Sequence, residues 1–151
     1  NTRLKKLAAK EYDAIILATA GLERLNLQHL ICCHLTTDSF TPAIGQGALA
    51  LETRADDHES QARTQFFNDE NTALCIQAEQ RVNQVLKGDC QTPIGAFAQL
   101  NDGNLTLQAV VGSKDNQPLL RAHGQSAAQE AAALGERIAA QLVKQGALDR
   151  L

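Results

Sequence analysis

The sequence predicts an α+β domain in its second half, a three-stranded antiparallel meander packed with helices, preceded by part of an α/β lobe. Three observations carry this. Leu105, Leu107, Ala109 and Val111 alternate with polar positions between two turn signals, the pattern of a strand with one buried face. Helical periodicities flank the strands, with Leu74, Ala78, Val82, Val85 and Leu86 before them and Ala131, Leu134, Ile138 and Leu142 after. Earlier in the chain, Tyr12–Ala18 and Ala48–Glu52 are short continuous apolar runs, as in strands buried on both faces of a parallel sheet.

The elements follow in order. Asn1 to Lys10 reads as a helix, capped by Asn1 or Thr2, with Leu4, Leu7 and Ala8 on one face. The strand Tyr12–Ala18 leads through Thr19-Ala20-Gly21 into a short helix containing Leu22 and Leu25. Residues 26–46 are rich in loop formers, and Gly45-Gln46-Gly47 precedes the second apolar strand. Asp56 or Asp57 caps a helix running to about Phe67. From Asn71 a long helix runs to Gly88, which can stop it by adopting the left-handed conformation. Strands are expected over residues 92–100, 105–111 and 119–123, with turns at Asp102-Gly103-Asn104 and Ser113-Lys114-Asp115-Asn116. Ser126 is the expected cap of the closing helix. The second unit, about 80 residues, is large enough to fold alone.

Composition narrows the function classes. The 151 residues are 44% hydrophobic and 21% charged, with a net charge of −3, which supports a core and argues against a nucleic-acid surface. No apolar run approaches the roughly 20 residues that cross a bilayer, and no signal-peptide pattern is present. Four cysteines at irregular spacing read as reduced thiols in a cytosolic protein. The absence of methionine points to sequence upstream of Asn1.

The segment from Leu86 to Ala96 is the most informative. Cys90 lies between a helix stop and Pro93, on a corner from which a thiol can reach a ligand or covalent group. Taken bare, the favoured reading is a small packing residue. Asp89 disfavours a thiolate beside it, with Lys87 compensating in part, so general nucleophilic catalysis is not the natural role. His29, Cys32, Cys33 and His34 cluster, but without a second pair at zinc spacing they read as ordinary loop residues, and no metal site is expected. Gly45-Gln46-Gly47 can bring backbone N–H groups to an anion or simply turn the chain. Arg3, Lys5, Lys6 and Lys10 make a basic helix, which reads as a solvated face, and Arg24 sits where a helix dipole favours a cation. Arg3 and Arg24 gain interest if the ligand is a polycarboxylate, whose geometry matches the guanidinium fork. Cys75 falls on an apolar helical stripe and reads as packing.

Leu86–Ala96 resembles the cofactor-attachment segment of the porphobilinogen deaminase (hydroxymethylbilane synthase) family. Tyr12–Leu22 resembles that family's second-domain strand and turn, and Pro42–Leu49 its crossover segment. Thr72-Ala73-Leu74 and Ala78-Glu79 fit the helix before the cysteine. The motifs occur in the right order from end to end, corresponding to the C-terminal portion of the family.

The resemblance implies residues 1–40 as the C-terminal part of a second α/β domain of periplasmic-binding-protein type. It implies 41–69 as a crossover and return segment of the first such domain, and 70–151 as the α+β third domain. The implied activity of the whole enzyme is a transferase reaction of porphyrin and heme biosynthesis. Four porphobilinogen molecules are condensed into the linear tetrapyrrole hydroxymethylbilane, with release of ammonia. Cys90 would carry a dipyrromethane cofactor by a thioether, as anchor rather than turnover nucleophile. Arg3 and Arg24 match positions where the family places arginines for pyrrole carboxylates, and Gln46 and Gly47 match the segment lining the cofactor cleft. No catalytic residue is implied within this chain: the family's aspartate lies upstream, so residues 1–151 alone are expected to be inactive. The implied partners are porphobilinogen, the growing oligopyrrole and the N-terminal part of the same enzyme, in a cytoplasmic monomer without nucleic acid or membrane. The family usually has glycine where Asp89 stands. The competing reading from the residues is a non-catalytic α+β module that binds a small anion or a partner.

Overall fold

The computed structural model describes residues 2–89, 91–113, 115 and 117–151. The chain divides into two compact units, Asn1–Thr36 and Thr37–Leu151.

The first unit contains helix α1 (Thr2–Ala8), helix α2 (Thr19–Arg24) and a 3-10 turn at Gln28–Leu30. Both helices lie where the sequence predicts them. The expected strand Tyr12–Ala18 does not form: among the described residues the first unit has no ladder, and Tyr12 and Ile16 are 50% and 61% exposed. An extended segment becomes a strand only when a neighbour takes up its N–H and C=O groups.

In the second unit, helix α3 (His58–Thr64) is capped by Asp57, whose carboxylate accepts from Ser60 N at 3.0 Å. A 3-10 turn at Gln65–Phe67 completes the predicted helix. The expected strand Ala48–Glu52 is absent, with Leu49 and Leu51 86% and 64% exposed.

Helix α4 (Glu70–Leu86) starts at Asp69, which accepts from Thr72 N at 2.7 Å. Its predicted stripe buries Ala78, Val82 and Leu86. The left-handed residue at its end is Lys87, with φ 55°, not Gly88. Gly88 sits in a crowded place instead: a Cβ there would press on the side-chain ends of Asn83 and Ile94, which would have to shift.

Strands β1 (Ile94–Asn101), β2 (Asn104–Val111) and β3 (Leu120–Ala127) form the predicted antiparallel meander in the order β1-β2-β3. The first hairpin closes Asn101 against Asn104 through Asp102 and Gly103, both at positive φ (49° and 79°), the backbone of a type I′ turn. β3 runs past the expected end at His123, because β2 offers pairing partners as far as Asn104↔Ala127. Ser126 therefore sits in the strand and caps nothing; its hydroxyl donates to Ala127 O at 3.0 Å. A 3-10 turn at Ala128–Glu130 then leads into helix α5 (Ala131–Lys144).

One sheet face and the two long helices make the core. Ala96, Ala98, Leu105, Leu107, Ala109 and Val111 meet Val82 and Leu86 from α4 and Leu134, Ile138 and Leu142 from α5. Each of the larger side chains contributes roughly 1.5–3 kcal/mol by leaving water. The helices cross at Gly135, where a Cβ would lie 2.5 Å from Ala78 O. The pair Arg81–Glu136 ties their outer edges.

Candidate functional site

The segment that precedes β1 is a tight hydrogen-bonded corner. Asp89 N donates to Thr92 Oγ1 at 2.8 Å, and that hydroxyl donates back to Asp89 Oδ1 at 2.7 Å. Gln91 N donates to the same carboxylate oxygen at 2.9 Å. The Thr92 hydroxyl, followed by the Gln91 N–H, holds the Asp89 carboxyl below the usual aspartate range, so the turn is built on an ionised side chain. Lys87, Asp89 and Gln91 are exposed. Cys90, the predicted attachment residue, lies outside the described residues.

The Thr41–Gly47 segment runs beside the start of β1. Ala43 bridges Gly95, and Ala96 N donates to Pro42 O at 3.1 Å. The chain approaches so closely that a Cβ on Gly95 would stand 2.9 Å from Pro42 O and 3.0 Å from Thr41 O. The segment then turns at Gly45, with φ 71°. Gln46 closes the turn locally, its Oε1 accepting from Ala43 N at 3.1 Å. Gln46 and Gly47 are both exposed, and a Cβ on Gly47 would meet open space. The fold itself gives no reason for glycine at 47; a bare, approachable backbone is what that position supplies.

Glu79 holds this turn from below. It is 4% exposed, the one buried polar or charged side chain among the described residues. Its Oε2 accepts from Gly45 N at 2.8 Å and its Oε1 from Ala98 N at 2.9 Å. Burial pushes its carboxyl above the usual range, against the pull of the two N–H groups. In the sequence, Glu79 stands out only as part of the Ala78-Glu79 pair. The signal for its burial is nonetheless present: Glu79 stands four residues after Cys75 and three before Val82, on the apolar stripe of α4.

Arg3 and Arg24 belong to the first unit, and both are exposed. Arg3 lines a cavity of about 500 Å³ with Leu4, Leu17, Ala18, Gly21 and Leu22. Arg24, at the end of α2, is not among the residues lining that cavity. Lys6 is engaged locally, 3.2 Å from Glu11.

The other cysteines differ in burial. Cys75 packs half-buried against the core, and burial raises its thiol pKa. Cys32 and Cys33 are exposed. Among the described residues no three His, Cys, Asp or Glu side chains stand together as metal ligands, and no helix is long and apolar enough to cross a membrane.

The second unit is thus an α+β domain, a three-stranded antiparallel sheet packed with two long helices, with the glycine turn pinned beside the start of β1. Its family relationships are specific. Residues 1–62 match the model for the porphobilinogen deaminase dipyrromethane cofactor binding domain, and residues 73–144 match that for the porphobilinogen deaminase C-terminal domain. A porphobilinogen deaminase from Coxiella burnetii strain Dugway 5J108-111 is 44% identical over 145 residues, covering 96% of this chain and 47% of the relative. That of the Henzerling II strain is 43% identical over the same length. The chain belongs to the porphobilinogen deaminase family, and it spans about half the length of the curated relatives it matches.

Proposed function

We propose that this chain is the C-terminal portion of a hydroxymethylbilane synthase, a transferase that condenses four porphobilinogen molecules into hydroxymethylbilane with release of ammonia. The observation that carries the reading is the exposed Asp89–Thr92 corner at the head of β1, with the Gly45–Gly47 turn held along the same strand edge. In this reading Cys90 anchors a dipyrromethane through a thioether. When bound, that group supplies the nucleophilic pyrrole carbon on which the chain grows. The residues here bind and orient: the Gly47 backbone and the Gln46 amide face the bound group, and Arg3 and Arg24 pair with pyrrole acetates and propionates through bidentate forks. The aspartate that assists deamination belongs to the N-terminal part of the enzyme.

The same reading takes residues 1–40 as the end of a second α/β lobe of periplasmic-binding-protein type, 41–69 as the return segment of the first lobe, and 70–151 as the third domain. The enzyme is a cytoplasmic monomer whose partners are porphobilinogen and the growing oligopyrrole.

Intact-mass measurement of the full-length enzyme tests this. Cys90 should be heavier by one dipyrromethane, and Cys90→Ser should lose both the added mass and turnover. Residues 1–151 alone should show no deaminase activity. An unmodified Cys90 in enzyme that turns over porphobilinogen would sink the assignment.

A further inference from the structure

We propose that Glu79 is a positioning residue: its buried carboxylate clamps the Gly45–Gly47 turn to strand β1 and so sets where that turn stands relative to the Asp89–Thr92 corner. The proposal rests on the functional reading above for its catalytic consequence, though not for the clamp itself.

The free edge of β1 presents alternate N–H groups. That of Ile94 turns back to Thr92 O at 2.8 Å, and that of Ala96 goes to Pro42 O at 3.1 Å. The next along that edge, on Ala98, goes to Glu79 Oε1 at 2.9 Å. The carboxylate thus takes over where the Thr41–Ala43 segment leaves the strand. Its second oxygen reaches back to the departing segment, accepting from Gly45 N at 2.8 Å. The turn is therefore tied at two points, the Ala43–Gly95 bridge and the Glu79 clamp, with Gln46 and Gly47 immediately beyond.

A carboxylate is a costly group to bury, and an apolar residue on the α4 stripe would fill the space without that desolvation cost. Neither an alkyl side chain nor a neutral amide can replace it. Two N–H donors from separate segments need two acceptors on one rigid fork, and a glutamine offers one oxygen and turns a donor toward the other N–H. Glu79 makes no bond to Gln46 or Gly47; it acts on them through the backbone of Gly45. A displacement of about 1 Å at such a support can cost about a hundredfold in rate while leaving the reacting groups intact.

The test uses the full-length enzyme with E79Q. Amide-resolved hydrogen exchange should show Gly45 exchanging at least about tenfold faster than in the wild type. Cofactor occupancy by intact mass should be unchanged, while kcat per loaded enzyme falls about tenfold or more. Loaded E79Q with kcat within about twofold of the wild type would overturn the positioning role, whatever its Tm. If E79Q does not fold, E79D, which draws the oxygens back by one methylene, is read in the same assays. In the wild type, a Gly45 amide that exchanges as fast as that of exposed Gly47 would refute the clamp directly. A wild type without added mass at Cys90 sinks the functional reading alone, since the exchange rates still report on the clamp.

Discussion

The carbonyl oxygen of Pro42 stands 2.9 Å from where a Cβ of Gly95 would be, close enough that no larger residue fits without moving backbone. Gly95→Ala should therefore lift the Thr41–Ala43 segment from β1. The expected cost is about 1–3 kcal/mol, typical of overpacking. Denaturant unfolding measures it, and faster exchange of the Ala96 amide would show that the Pro42 contact has opened. A variant as stable as the parent, with Ala96 still protected, would contradict the close approach.

Lys87 and Gly88 make opposite predictions at neighbouring positions. Lys87 carries the left-handed backbone, with φ 55°, so Lys87→Gly should stabilise the protein by up to about 1 kcal/mol. Gly88→Ala should destabilise it, since the added methyl meets Asn83 and Ile94. Thermal melts of the two variants should move in opposite directions. If Gly88 rather than Lys87 were the left-handed cap, Lys87→Gly would bring no gain.

Asp89 stiffens the corner ahead of β1. Asp89→Gly removes the acceptor shared by Gln91 N and the Thr92 hydroxyl. It also removes a negative charge beside the proposed anionic cofactor. The apoenzyme should load dipyrromethane faster and lose a little thermal stability. Time-resolved intact mass follows the first effect, and a slower variant would show that the preformed turn matters more than the charge.

Core and surface separate cleanly. Leu134→Ala or Ile138→Ala removes a side chain that is 0% exposed, at an expected cost of about 2–5 kcal/mol. Leu49→Ala and Phe66→Ala remove side chains that are 86% and 88% exposed and should leave the stability of this chain within about 0.5 kcal/mol. Denaturant midpoints of the four variants give the comparison.

Carboxyl titrations should split in two directions. Asp57, Asp69 and Asp89 are held below 3.8 by hydrogen bonds to their charged forms, so their contribution is present above that pH and fades as pH falls through their folded values. Glu79 is raised above 4.5 by burial. Its contribution is complete below that pH and is lost as pH rises through the folded value. Carbon-13 NMR of the side-chain carboxyls checks each direction.

Local pattern in the sequence determines much of this protein. The α4 and α5 stripes, the Asp102-Gly103 hairpin and the Asp57 cap are set by neighbours within a few residues, so period and turn chemistry reveal them. The end of α4 ahead of β1 is marked in the same way, by Gly88 and Pro93 close together in the sequence. The runs Tyr12–Ala18 and Ala48–Glu52 have strand composition, but pairing is a property of two segments, and no ladder includes them among the described residues. The extension of β3 to Ala127 likewise depends on the length of β2. Only the tertiary structure decided that Gly88 is crowded while Lys87 takes the strained backbone, and that Glu79 joins Gly45 to Ala98. Those outcomes depend on which groups from distant parts of the chain arrive within 3 Å of one another, and long-range approach leaves no period in a sequence.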